Sequence, residues 1–211
     1  MNWAAARATT AIAVVTAAVS LILIVTGMVP DAAVAGGFIP CASRARRCPR
    51  FRLCGADRAD PLSATLIHGG FAHIAFNLVM LVYCGAQTER ALGSRGIVVL
   101  YVVGAYAAAM AQYFPEPGSP MSMIGASGAI SAIVGAYALL FGRRRATRGI
   151  AGLSAEFTHV LWLAAGWIGI QLLLGYAGMG MGAIAVAAHI GGFIAGLAFA
   201  KPLLLWRYRH A

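Results

Sequence analysis

The sequence predicts an all-α, polytopic membrane protein folded as a bundle of six transmembrane helices. Three observations carry that reading. Of 211 residues, 61% are hydrophobic and only 10% are charged, too little charge to cover the surface of a water-soluble domain. Mean hydropathy is +0.80, which makes the bilayer the natural solvent. The apolar residues also gather into six runs close to the length of about 20 that a helix needs to cross the hydrocarbon core. They are Thr9–Val29, Phe71–Ala91, Ile97–Tyr113, Ser122–Phe141, Thr158–Gly175 and Ala183–Leu205. We expect residues 1–211 to form one membrane domain.

The first run resembles a leader, because Ala33-Val34-Ala35 follows it in the manner of a signal-peptidase site. A leader's apolar core is about 7–15 residues, shorter than this run, so it is read as a retained span. The second begins after Gly69-Gly70, a natural break. The other four alternate in direction through short connections.

Basic residues orient the bundle. The formal net charge is +10, and the charges lie between apolar runs rather than on a basic face interleaved with aromatics. That pattern excludes nucleic acid as the expected partner and fits loops that touch anionic headgroups. With the N-terminus inside, the inner face carries Arg7, Arg90, Arg95, Arg143, Arg144, Arg145, Arg148, Lys201, Arg207 and Arg209. The outer face carries Arg44, Arg46, Arg47, Arg50, Arg52 and Arg58, all in the first loop. Ten against six favours a cytoplasmic N-terminus, against the pull of that basic loop. The same loop holds Cys41, Cys48 and Cys54, while Cys84 sits in the second span. A disulfide within the loop or idle thiols are both open; the spacing matches no zinc pattern, and neither metal nor cofactor is expected.

Polar groups inside a membrane are costly and tend to mark function. Spans two, four and six enter from the same face, and Asn77, Ser127 and His189 each lie about six residues into theirs. At about 1.5 Å per residue this puts all three roughly 9 Å below that face. Gln112 and Gln171, late in spans three and five, return to the same level. Five spans thus contribute to one polar layer near the outer side.

Ser127 lies in Gly125-Ala126-Ser127-Gly128. Gly125 and Gly128 allow close backbone approach at a helix start, where the first amide N–H groups have no intrahelical partner and are able to stabilise an oxyanion. His189 lies in Ala188-His189-Ile190-Gly191-Gly192, with Gly196 one turn on, a small-residue face suited to tight helix contact. An imidazole brought to the serine by that contact can take its proton near neutral pH. His73 and Asn77, four apart on one face, offer neutral hydrogen-bond donors to the same oxygen. His68 is expected to buttress the adjoining loop. None of the six acidic residues lies deep in a span, so a Ser-His-Asp triad, an aspartyl pair and a His-Glu-x-x-His zinc helix are all excluded.

These motifs resemble the rhomboid family of intramembrane serine proteases. The likeness rests on His68-Gly-Gly-Phe-Ala-His73-Ile-Ala-Phe-Asn77, Gly125-Ala126-Ser127-Gly128 and Ala188-His189-Ile190-Gly191-Gly192, in that order on spans two, four and six. Glu89-Arg90-Ala91-Leu92-Gly93 is similar to the family's Glu-x-x-x-Gly element. The resemblance implies Ser127 as nucleophile, His189 as general base and then acid, and an oxyanion hole from the Ser127 N–H, His73 and Asn77. It further implies a cavity opening outward, and the alanine- and arginine-rich composition points to a bacterial inner membrane. Substrates would be transmembrane segments of other proteins, entering between spans two and five. Two departures stand out: the first loop is rich in arginine and cysteine, and Ser131 occupies the place where many members carry a tyrosine that stacks on the histidine. A catalytically silent relative that binds transmembrane segments is the second reading. Oligomeric state is not legible.

Overall fold

The computed structural model describes residues 6–40, 60–141, 153–176 and 186–209, with the side chains of Glu156 and of 170–176 outside that description. Cys41, Cys48, Cys54 and the arginines of the first loop lie outside the described residues, as do Arg143, Arg144, Arg145 and Arg148. The helices are α1 (Arg7–Val25), α2 (Val29–Gly36), α3 (Pro61–Ala64), α4 (Phe71–Met80), α5 (Ala86–Tyr113), α6 (Ser127–Phe141), α7 (Ala155–Tyr176) and α8 (Val186–Arg207). A π-helical turn, Leu81–Gly85, joins α4 to α5.

Among the described residues, Arg7–Val25, Phe71–Tyr113 and Val186–Arg207 are long and apolar enough to cross a membrane, and Ser127–Phe141 and Phe157–Gly169 are shorter apolar helices. The 43-residue run Phe71–Tyr113 is two rods. It breaks at Gly93, whose φ of +76° and ψ of 166° interrupt the helix. The packing shows the reversal. Gly93 sits beside the Arg207 side chain at the end of α8, whereas Ala108 faces Gly128 and Ala107 and Ala111 face Gly191 near the starts of α6 and α8.

Glu89 closes the arginine-rich end. The N-cap residue of α1, Ala6, makes no side-chain cap, which leaves the first amides of α1 in need of acceptors. Glu89 supplies them from another helix. Its carboxylate accepts from the N–H groups of Ala8 (2.9 Å) and Thr9 (2.8 Å) and from the hydroxyls of Thr9 (2.7 Å) and Ser94 (2.6 Å). A carboxylate at a helix N-terminus also complements the helix dipole. Arg207 completes this end by donating to the carbonyls of Glu89 and Arg90.

The middle of the bundle packs Leu81, Leu92, Ile97, Leu100, Ile130 and Ile133, all essentially sealed from solvent. Helices α6 and α8 touch through their backbones. A Cβ on Gly196 would lie 2.0 Å from the Ala132 carbonyl oxygen, and one on Gly192 would lie 2.1 Å from that of Gly128. Only hydrogen fits at those points, so the glycines fix the spacing of the two helices.

The observed boundaries differ from the expected ones where long-range partners intervene. Helix α6 starts at Ser127, not Ser122. Met123 instead exchanges two backbone hydrogen bonds with Phe38 (3.0 and 2.8 Å), and the Gly125 N–H donates to the Ala64 carbonyl (2.9 Å). Gly125 has a φ of +109°, which a helix cannot continue through. Helix α1 ends at Val25 rather than Val29, because Gly27 turns with φ +72° and α2 begins at Val29. The short α3 is capped by the Asp60 carboxylate, which accepts from the Leu62 N–H (2.9 Å), with Pro61 at the first helical position.

Candidate active site

Ser127 stands at the first residue of α6, not six residues into it, because the preceding segment is extended. The first-turn amides of α6 lack an intrahelical partner and lie next to the hydroxyl.

His189 comes from the first turn of α8. Its Nε2 is 2.7 Å from the Ser127 Oγ, a hydrogen-bond distance across two helices whose separation Gly192 and Gly196 fix. The pair is suited to proton transfer from the hydroxyl to Nε2. Helix α7 holds the backbone on which His189 sits. Trp167 donates its indole N–H to the His189 carbonyl (3.3 Å) and stacks on Phe193 at 5.0 Å with the ring planes 10° apart. Ser131 does not reach the imidazole in the role of the missing tyrosine; its hydroxyl donates to the Ser127 carbonyl (2.8 Å).

The segment before Ser127 is braced by His68, which is completely buried. Its Nε2 accepts from the Ala126 N–H at 3.2 Å, and its Nδ1 lies 2.8 Å from the Ser20 hydroxyl. Ser20 donates to the Leu66 carbonyl (2.7 Å), which leaves its oxygen to accept the Nδ1 proton. Every group is satisfied only when His68 is neutral with the proton on Nδ1. Burial, and secondarily the neighbouring His73, lower its pKa from 6.5 to about 3, in keeping with that requirement.

His73 packs edge-on against His68, ring centroids 4.9 Å apart. Its ring also covers Gly125, where a Cβ would come within 2.8 Å of Cε1 and Nε2. Gly125 is thus glycine for two reasons, the positive φ and the imidazole above it. Asn77 is buried, and its Nδ2 donates to the His73 carbonyl of its own helix (2.9 Å). Gln112 has a buried Oε1 with no hydrogen-bond partner; the Gln171 side chain lies outside the described residues.

The structure therefore brings Ser127 and His189 into contact and sets His68, His73 and Gly125 directly behind the serine. Sequence reasoning missed Ser20 and Trp167. A serine within an apolar span reads as packing, and a tryptophan as a lipid-facing anchor, until the fold supplies their partners.

A family model described as the Rhomboid domain matches residues 59–206. The Rhomboid protease GlpG of Serratia proteamaculans is 36% identical over 152 residues, covering 71% of this chain and 48% of that protein. The protein of the same name from Yersinia pestis is 37% identical over 142 residues, covering 66% and 46%. That from Yersinia enterocolitica is 36% identical over 142 residues. The chain thus spans about half the length of the relatives it matches.

Proposed function

Because this chain belongs to the rhomboid family, we propose that it is an intramembrane serine endopeptidase cutting peptide bonds in or near transmembrane segments of other proteins. The observation that carries the reading is the 2.7 Å contact between the Ser127 Oγ and the His189 Nε2. The Ser127 Oγ attacks the scissile carbonyl carbon while its proton passes to His189 Nε2. The carbonyl oxygen becomes an oxyanion, stabilised by the Ser127 N–H and by His73 and Asn77. Collapse of the tetrahedral species breaks the C–N bond, and His189 returns the proton to the leaving amine. Water, deprotonated by the same imidazole, then hydrolyses the acyl-enzyme and regenerates Ser127.

His68, Gly125 and Gly128 support this machinery: His68 and Gly125 by fixing the entry to α6, Gly128 by admitting Ala108 of α5. In this reading residues 1–211 act as one membrane domain, in a bacterial inner membrane, with the N-terminus cytoplasmic and the site facing outward. The six-against-ten distribution of basic residues supports that orientation. The alternative of a silent, segment-binding relative gains no support, since both members of the pair are present and hydrogen-bonded.

The test is cleavage of a model transmembrane substrate in liposomes. Ser127→Ala and His189→Ala are expected to keep helix content but cut nothing, and Ser127→Ala to lose labelling by a fluorophosphonate. Asn77→Ala is expected to slow cleavage by about 10²-fold, the usual order for one oxyanion donor. Equal cleavage by the parent and Ser127→Ala would refute the proposal.

A further inference from the structure

At the end of the bundle remote from Ser127, a groove of about 440 Å³ opens between α1, α5 and α8, lined by Ala8, Ser94, Arg95, Val98, Val99 and Trp206. It is a shallow depression, open along most of its length. The lining is almost wholly apolar, with Val98 and Val99 one turn from Arg95. Arg95 is exposed at the margin, so a ligand with an anionic head outside the groove and a hydrocarbon tail inside it would suit both.

Charge at this end is unbalanced. Arg7, Arg90 and Arg95 are exposed. The nearby carboxylate, Glu89, is buried and already accepts four hydrogen bonds from Ala8, Thr9 and Ser94. Its hydrogen bonds are thus directed to α1 and Ser94. Arg207 is engaged with the Glu89 and Arg90 carbonyls. Trp206 and Tyr208 stand at the end of α8, Arg209 lying over the ring of the first and Arg207 over that of the second. Aromatic and basic side chains together are the pattern of a helix end at headgroup level, and basic pockets between transmembrane helices suit anionic lipid headgroups.

We propose that this groove binds an anionic phospholipid, its phosphate held by Arg95 and one acyl chain lying along Ala8, Val98 and Val99. The acyl chain distinguishes this site from a soluble-phosphate site, and the arginine distinguishes it from ordinary lipid contact. Binding there would tie α1 to the α5–α8 pair from outside the bundle, in parallel with Glu89 within it. The proposal stands whether or not the chain is a protease.

Trp206 in the groove wall provides the readout. The full chain is reconstituted in phosphatidylcholine vesicles containing a small fraction of dibrominated phosphatidylglycerol or, separately, dibrominated phosphatidylcholine. The Trp206 contribution is the quenching lost in Trp206→Phe. Brominated phosphatidylglycerol is expected to quench that component at about five-fold lower mole fraction than brominated phosphatidylcholine, the effect of one basic residue near the surface. Arg95→Gln should remove the preference, Arg95→Lys should keep most of it, and Val98→Phe, which fills the floor, should weaken quenching by both lipids. All three positions are at or near the exposed surface, and unchanged circular dichroism shows that the variants fold. Equal quenching by the two lipids overturns the proposal. So does a preference lost in Arg95→Gln but untouched by Val98→Phe, which would mean a surface charge with no groove site.

Discussion

At one end of the bundle Glu89 gathers four donors from α1 and from Ser94; at the other His68 gives one ring nitrogen to Ser20 and the other to Ala126. Both are buried polar residues that tie α1 to the rest of the bundle, and both are fully satisfied. They differ in what lies beyond them. Behind Glu89 there is a packed apolar core, so the clamp serves assembly. Immediately past Ala126 comes Ser127, so the His68 brace sets where a reacting group stands. A buried hydrogen-bond network is therefore not one kind of object: its weight in function depends on what it positions.

The comparison is broken most severely by separating the helices at the serine end. Gly196→Ala would place a methyl 2.0 Å from the Ala132 carbonyl oxygen, a backbone atom that cannot move aside alone. Helices α6 and α8 must part, lengthening the Ser127–His189 contact. Since a misplacement of about 1 Å costs on the order of 10²-fold, the fluorophosphonate labelling rate should fall by that order, and cleavage with it.

His68→Ala comes next. It strands the Ala126 N–H, a buried donor worth about 1–3 kcal/mol when unsatisfied, and frees the entry to α6. Labelling is expected to slow by about 10-fold and thermal stability to fall as well. The pH dependence sharpens this. His68 titrates near 6.5 when unfolded but at about 3 when folded, so between those values the unfolded chain binds the extra proton. The brace contributes its full stability above pH 6.5 and loses it progressively as pH falls towards 3. The melting temperature of the parent should drop across that window, and that of His68→Ala should drop less.

Glu89→Gln should divide the two ends. One of its oxygens becomes an amide nitrogen, leaving a buried donor of α1 or Ser94 without an acceptor at about 1–3 kcal/mol. The melting temperature should fall by several degrees, while cleavage per folded molecule stays within about two-fold of the parent. A large loss of turnover at temperatures where the variant is folded would erase the distinction drawn here. The smallest effect is expected from Trp167→Phe, which keeps the stack on Phe193 but removes the hydrogen bond to the His189 carbonyl. A loss of about 0.5–1.5 kcal/mol for one such bond predicts a few-fold slower labelling, with Trp167→Ala several-fold worse.

Much of this was legible before any coordinates. Continuous hydropathy marked an all-helical membrane protein, and small residues around Ser127 and His189 marked two helices able to approach closely. What hid were features whose cause lies far away in the chain. Residues 122–126 are apolar enough to pass for the first turns of a helix, and they are kept out of it because Phe38 holds Met123 and Ala64 holds Gly125. The clamp made by Glu89 was hidden because its partners lie 80 and 81 residues earlier. Ser20 is 48 residues from the histidine it serves. Local propensity and periodicity carry no information about such pairings.

One feature of the α4–α5 rod reaches further than its length. The π turn at Leu81–Gly85 holds more residues than an α turn, and an α-helix rotates about 100° per residue. The widened turn therefore acts as a phase shift. It lets the rod before the Gly93 break aim His73 at the loop before α6 and, farther along, aim Glu89 at the start of α1. Deleting one residue there would leave every side chain chemically intact while rotating one of these addresses by about a quarter of a circle relative to the other.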